Sequence, residues 1–166
     1  MKNTCSSSGR SMDLVRTIIL LLHPALATAL LIWIWRQYSW RKQSFELKGD
    51  ERAMALSKHE KNGDRLIWAS AGVILIAFAS RAIVALRDDE HLLSSLVPGS
   101  LHGYMGPVGF ALLYILARMG RKAREARLDG RQFRHIATKH GRAADLIVVL
   151  VFIHAFLGFL YIFAIL

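Results

Sequence analysis

The chain has 166 residues, 54% of them hydrophobic, yet it carries a formal net charge of +10. Apolar and basic residues must therefore be segregated into blocks, which is the composition of an integral membrane protein and leaves no nucleic-acid partner to expect. A single cysteine, Cys5, excludes an intramolecular disulfide framework and a cysteine metal cluster, and no Cys-x-x-Cys-His is present for covalent c-type haem attachment.

Residues 1–12 are rich in Ser, Asn and Gly and lack apolar periodicity, so a disordered tail is expected there. The remainder, residues 13–166, reads as one all-α domain, an integral membrane four-helix bundle. Its helices are expected over about residues 14–36, 65–87, 100–119 and 142–166, each long enough to cross a hydrocarbon core at about 20 residues per span. The first helix, with Asp13 as its N-cap, is expected to be a retained span and not a cleaved signal. It contains His23-Pro24, and proline inside a helix removes a backbone hydrogen bond and forces a kink that aims His23 inward. Trp33, Trp35 and Trp40, with Trp68 at the start of the second helix, form an aromatic belt at one membrane face.

The connection from Arg36 to Arg65 carries 8 basic residues and that from Arg118 to Arg142 carries 9, so 17 of the 22 Lys and Arg lie on one side. The positive-inside rule makes that side cytoplasmic, or stromal in a thylakoid, with both termini on the outer side. The opposite connection, Arg87–His91, is short and acidic, and Pro98 and Gly99 interrupt any helix before the third span.

An ionisable side chain in hydrocarbon is expensive and is by default a functional-site hypothesis. Counted from the arginine at the inner end of each helix, His23 lies 13 residues from Arg36 and His102 16 residues from Arg118, roughly 20 and 24 Å up. His59 and His140 both lie at the inner boundary. The histidines thus fall into two levels of two, and helix bundles hold haem between facing axial ligands. For His59 and His140, both outside the apolar spans, the plainer reading as polar residues of solvated loops weighs more. For His23 and His102, which need partners in the apolar region, interhelical hydrogen bonding is the weaker reading. His154 lies close to the level of His23 and repeats the His-x-x-x-Gly spacing of His102 and Gly106, so it is an alternative iron ligand that would leave a single haem. Arg81, roughly level with His102, is a candidate for a haem propionate through its bidentate fork. The alternatives are that it snorkels to the outer surface or meets Asp88.

At Leu22-His23-Pro24, Lys58-His59 with Gly63, His102-x-x-x-Gly106 and Lys139-His140, the chain resembles the cytochrome b561 class of transmembrane haem proteins. It is most similar there to an uncharacterised four-helix membrane family of cyanobacteria and plastids. The resemblance implies that the first and third helices share one haem b and the second and fourth another. His154 has no counterpart in that pattern.

The leading expectation is a transmembrane b-type cytochrome, in a bacterial inner membrane or a thylakoid, carrying electrons through one or two bis-histidine haems. Its electron donor and acceptor are unknown. The alternative is a haem-free structural or assembly subunit, packed in a larger membrane complex or a homodimer. A metal carrier or proton relay is a third reading, weakened by the absence of carboxylates well inside the spans. No residue is expected to be catalytic in its own right.

Overall fold

The computed structural model describes residues 7–165, with side chains over 14–163. It contains α1 (Ser7–Gln43), α2 (Gly49–Arg87), the single-turn α3 (Leu92–Leu96), α4 (Leu101–Leu128) and α5 (Arg134–Ile165), with no strand among the described residues. Asp13 lies inside α1 and not at its start. The expected tail is in part helical from Ser7, and residues 1–6 lie outside the described residues.

Among the described residues, three helices, over Leu14–Gln43, Gly49–Arg87 and Arg134–Phe163, are long and apolar enough to cross a membrane. The 28-residue α4 is not among them. Its first three turns are diluted by His102, Gly103, Gly106, Pro107 and Gly109, and Arg118 limits the apolar stretch at the other end.

The four long helices pack in a ring: α1 lies against α2 and α5, and α4 lies against the same two helices. Helices α1 and α4 therefore face each other diagonally across the core, as do α2 and α5. Neighbours run antiparallel, because contacts pair rising positions on one helix with falling positions on the next. Gly106 meets His154 and Gly120 meets His140 between α4 and α5, while Trp35 meets Phe152 and Arg41 meets Gly141 between α1 and α5.

The surface of this bundle is apolar. Trp68 and Leu75 on α2 are 80% and 68% exposed, and Phe156, Phe159 and Phe163 of α5 are exposed along one stripe. The few buried residues include the small Ser70, Ser80, Ala85 and Ala126, which let helices approach closely. So extensive an apolar exterior suits a lipid surround, where every backbone polar group is satisfied within helices.

At the basic end the helices run on beyond the apolar region. Helix α2 begins at Gly49, with Asp50 and Glu51 in its first turn placed to complement the positive helix N-terminus. The following run to Lys61 is rich in Ala, Leu, Met, Lys and Glu, all good helix formers. Helix α4 continues to Leu128, where Gly130 at φ +68° closes the turn into α5. The two basic connections are thus mostly helix, joined by residues 44–48 and 129–133. Ion pairs hold the extension: Arg121 and Arg124 reach Asp64 at 3.1 and 3.3 Å, Arg127 reaches Glu60 at 2.9 Å, and Arg41 together with the Tyr38 hydroxyl holds Asp145.

Candidate functional site

The core of the ring brings together two diagonal pairs of histidines. His23 of α1 and His102 of α4 have ring centroids 6.1 Å apart with an interplanar angle of 67°. His59 of α2 and His140 of α5 have centroids 6.5 Å apart at 85°. Each long helix contributes one member. His140 and His154, which belong to different levels, stand 14 residues apart on α5, so the levels are about 21 Å apart along the bundle.

The upper level is built by α4 and α5 together. The His102 ring lies over Gly158, where an added Cβ would come within 2.6 Å of Cε1. One side of the ring stacks on His154 at 4.2 Å and 11°, and Tyr161 stands parallel to it at 6.5 Å. His102 Nδ1 is 3.1 Å from the His154 carbonyl oxygen. That carbonyl can only accept, so Nδ1 is the donor, and in the neutral ring Nε2 is the nitrogen with the free lone pair. The exchange is reciprocal, because His154 in turn lies over Gly106, 3.9 Å from where a Cβ would stand. His154, expected as an alternative ligand, is thus placed against the face of His102. Its Nδ1 is buried without a hydrogen-bond partner. His23 comes from the Pro24 turn of α1, one helical turn before Thr28, whose hydroxyl donates to the Pro24 carbonyl at 2.8 Å. The Val73 backbone lies beside His23 but makes no hydrogen bond of ordinary geometry to Nδ1.

The lower level uses the helical extension. His140 lies over Gly120, 3.3 Å from the place of a Cβ, and its Nδ1 is 3.0 Å from the Leu116 carbonyl oxygen. His59 stacks on Trp40 at 5.4 Å and 28°. The Gln37 amide donates to the His59 carbonyl at 2.8 Å and passes over Gly63, where a Cβ would lie 3.3 Å from it. His59 Nδ1, like that of His23, is buried without a partner, with the Gln37 backbone nearby.

Arg81 turns toward the connection above the upper level. Its Nε donates to the Ser95 carbonyl at 2.7 Å and its Nη2 to the Val97 carbonyl at 3.0 Å, so it anchors the segment around α3. Asp88 pairs instead with Arg16, at 3.3 Å. No group of three or more His, Cys, Asp or Glu placed to share a metal ion occurs among the described residues. The arrangement is chemically a pair of imidazole clusters, with three rings at the upper level (His23, His102 and His154) and two at the lower (His59 and His140).

Sequence reasoning did not single out Gln37, Gly120 or Tyr161, and it placed Trp40 only in the aromatic belt. The repeated His-x-x-x-Gly spacing was the available signal for Gly158, and in an antiparallel helix pair it produces the reciprocal seating seen here. No family model, curated protein or solved structure matches the chain.

Proposed function

We propose that the protein is a transmembrane b-type cytochrome that holds two haems through His23 with His102 and His59 with His140, and passes electrons across the membrane. The observation that carries this reading is the separation within each diagonal pair. Two imidazoles on opposite sides of one iron, each bonded at about 2 Å with its ring centre about 1 Å further out, have centroids about 6 Å apart. The two pairs stand at 6.1 and 6.5 Å. Ligating histidines commonly donate the other ring N–H to a carbonyl, which fixes the ring and raises its basicity. His102 and His140 do so. The Nδ1 atoms of His23 and His59 are buried without a partner, and the same role would require each to meet a backbone carbonyl.

A bound haem would supply a one-electron centre at each level. The chain's own residues hold the imidazoles in the core, exclude water with the surrounding helices, and set the spacing between the levels. Arg81 has guanidinium donors beyond its two carbonyl bonds and is the residue we assign to a carboxylate of the upper haem. In this reading α4 crosses as a fourth span inside the ring, and both termini face outward. The basic end faces the cytoplasm of a bacterial inner membrane or the stroma of a thylakoid. A kinship with the cytochrome b561 class remains part of the proposal.

The test is the absorption spectrum of the full chain expressed with adequate haem and purified in mild detergent. A reduced-minus-oxidised spectrum of low-spin, bis-histidine b type is expected. A well-folded, colourless protein that takes up no added haem would favour a structural or assembly subunit instead. Reporter fusions at Arg127 should read as cytoplasmic and fusions after Leu166 as external, and the reverse would overturn the assigned sidedness.

A further inference from the structure

The outward stripe of α2 changes character at one point along its length. Below Trp68 it presents Met54, Lys58, Lys61 and Arg65, with Ser57 and Asn62 beside them, around an open groove of about 380 Å3. No carboxylate lines this groove. Above it the same stripe is apolar, with Trp68, Leu75, Ile83 and Leu86 exposed at 80%, 68%, 44% and 64%. The successive spacings keep these residues on one helical face.

The cations of the groove are distinct from those that hold the bundle. Arg41, Arg121, Arg124 and Arg127 at the same end are committed to Asp145, Asp64 and Glu60. Lys58, Lys61 and Arg65 have no ion-pair partner among the described residues. Asp64 and Glu60 point to α4, away from this groove.

Distances along the helix match a bilayer. Leu66 to Leu86 covers about 30 Å, the thickness of a hydrocarbon core. Lys61 and Lys58 lie four and seven residues below Arg65, about 6 and 10 Å, which is the depth of the headgroup layer and its outer edge. Trp68, three residues above Arg65, stands where interfacial aromatic residues collect.

We propose that this stripe is a binding site for one anionic phospholipid. The phosphate-bearing headgroup sits among Lys58, Lys61 and Arg65, and an acyl chain lies along Trp68, Leu75 and Ile83. A soluble anion would use the cations and leave the apolar continuation unexplained; a lipid uses both. The inference rests on the membrane placement proposed above and is independent of haem.

The test is native mass spectrometry of the full chain released from nanodiscs of mixed phosphatidylcholine and phosphatidylglycerol. The wild type should retain one phosphatidylglycerol in preference to phosphatidylcholine. The triple variant Lys58→Gln/Lys61→Gln/Arg65→Gln should lose that preference by about a hundredfold, taking roughly fivefold per cation near an anionic surface. A control with equal charge loss elsewhere on the basic end, Arg118→Gln/Lys122→Gln/Lys139→Gln, should keep it. Trp68→Ala, which leaves every cation in place, should weaken retention without removing the preference for the anionic headgroup. Equal loss in the control would overturn the site in favour of diffuse surface charge. Equal retention of phosphatidylcholine by the wild type would overturn the anionic headgroup, and displacement of the lipid by excess inorganic phosphate would overturn the lipid in favour of a free anion. Failure of the protein to enter nanodiscs at all would overturn the membrane placement together with the lipid site, whereas a colourless protein that retains the lipid leaves this inference standing.

Discussion

The two histidine levels have the same diagonal arrangement and are built by different physical means. The upper one lies within the apolar part of the bundle and is shaped by close packing: a glycine floor under His102, parallel rings beside it, and a backbone carbonyl at its Nδ1. The lower one lies where the helices run on past the apolar region into the basic end, and ion pairs between α2 and α4 and between α1 and α5 hold it in place. Packing energies in a dense core are large and insensitive to salt. Half-exposed ion pairs contribute little each and are screened. The upper level should therefore be sensitive to volume, the lower one to charge.

The largest effect is expected from Gly158→Leu. Its Cβ would enter the space of the His102 ring, and overpacking of a well-filled site typically costs about 1–3 kcal/mol. The spectral signature of the upper level should disappear while that of the lower level persists. Loss of both would show that the levels are not separate structural units.

A graded glycine series sharpens the same contrast. Gly120→Ala places a Cβ 3.3 Å from His140, tight enough to shift the ring, and should lower haem occupancy of the lower level in part. Gly106→Ala places one 3.9 Å from His154, an ordinary contact, and should leave upper-level haem occupancy unchanged, with stability rising by at most about 1 kcal/mol from the better helix former. An equal effect at both positions would mean that ring seating does not govern either level.

Smaller still is the effect of charge at the lower end. Asp64→Asn removes the partner of Arg121 and Arg124, all three at least a third exposed or nearly so, and should cost about 0.5 kcal/mol. Hydrogen exchange should quicken in the last turns of α4, and the difference from wild type should shrink in high salt. Tyr161→Phe keeps the ring beside His102 and should be close to neutral in haem retention.

Much of this organisation was legible in the chain. Counting residues from the inner arginines placed His23 with His102 and His59 with His140, and the structure brings those same residues together. The count works because a helix rises by a constant amount per residue. The same count put His154 level with His23, but depth does not say which way a side chain points, and the structure seats it on His102. The helix ends were too short in the sequence reading, because basic residues near a membrane boundary look like loop. The ion pairs from α4 to Asp64 and Glu60 that keep the extension helical join positions about 60 residues apart. Gly63 and Gly141, each costing about 1 kcal/mol inside a helix relative to Ala, both lie inside helices, with Gln37 and Arg41 side chains passing over them. The role of Arg81 as an anchor for the α3 segment depends on a loop path that no periodicity encodes.

The most direct test of the central claim is the haem-to-protein ratio of the purified chain and of its four single His→Ala variants. The ratio should be near two in the wild type and near one in each of His23→Ala, His102→Ala, His59→Ala and His140→Ala, with the surviving spectrum the same within each diagonal pair. A wild-type ratio of one that His59→Ala and His140→Ala leave unchanged would contradict it.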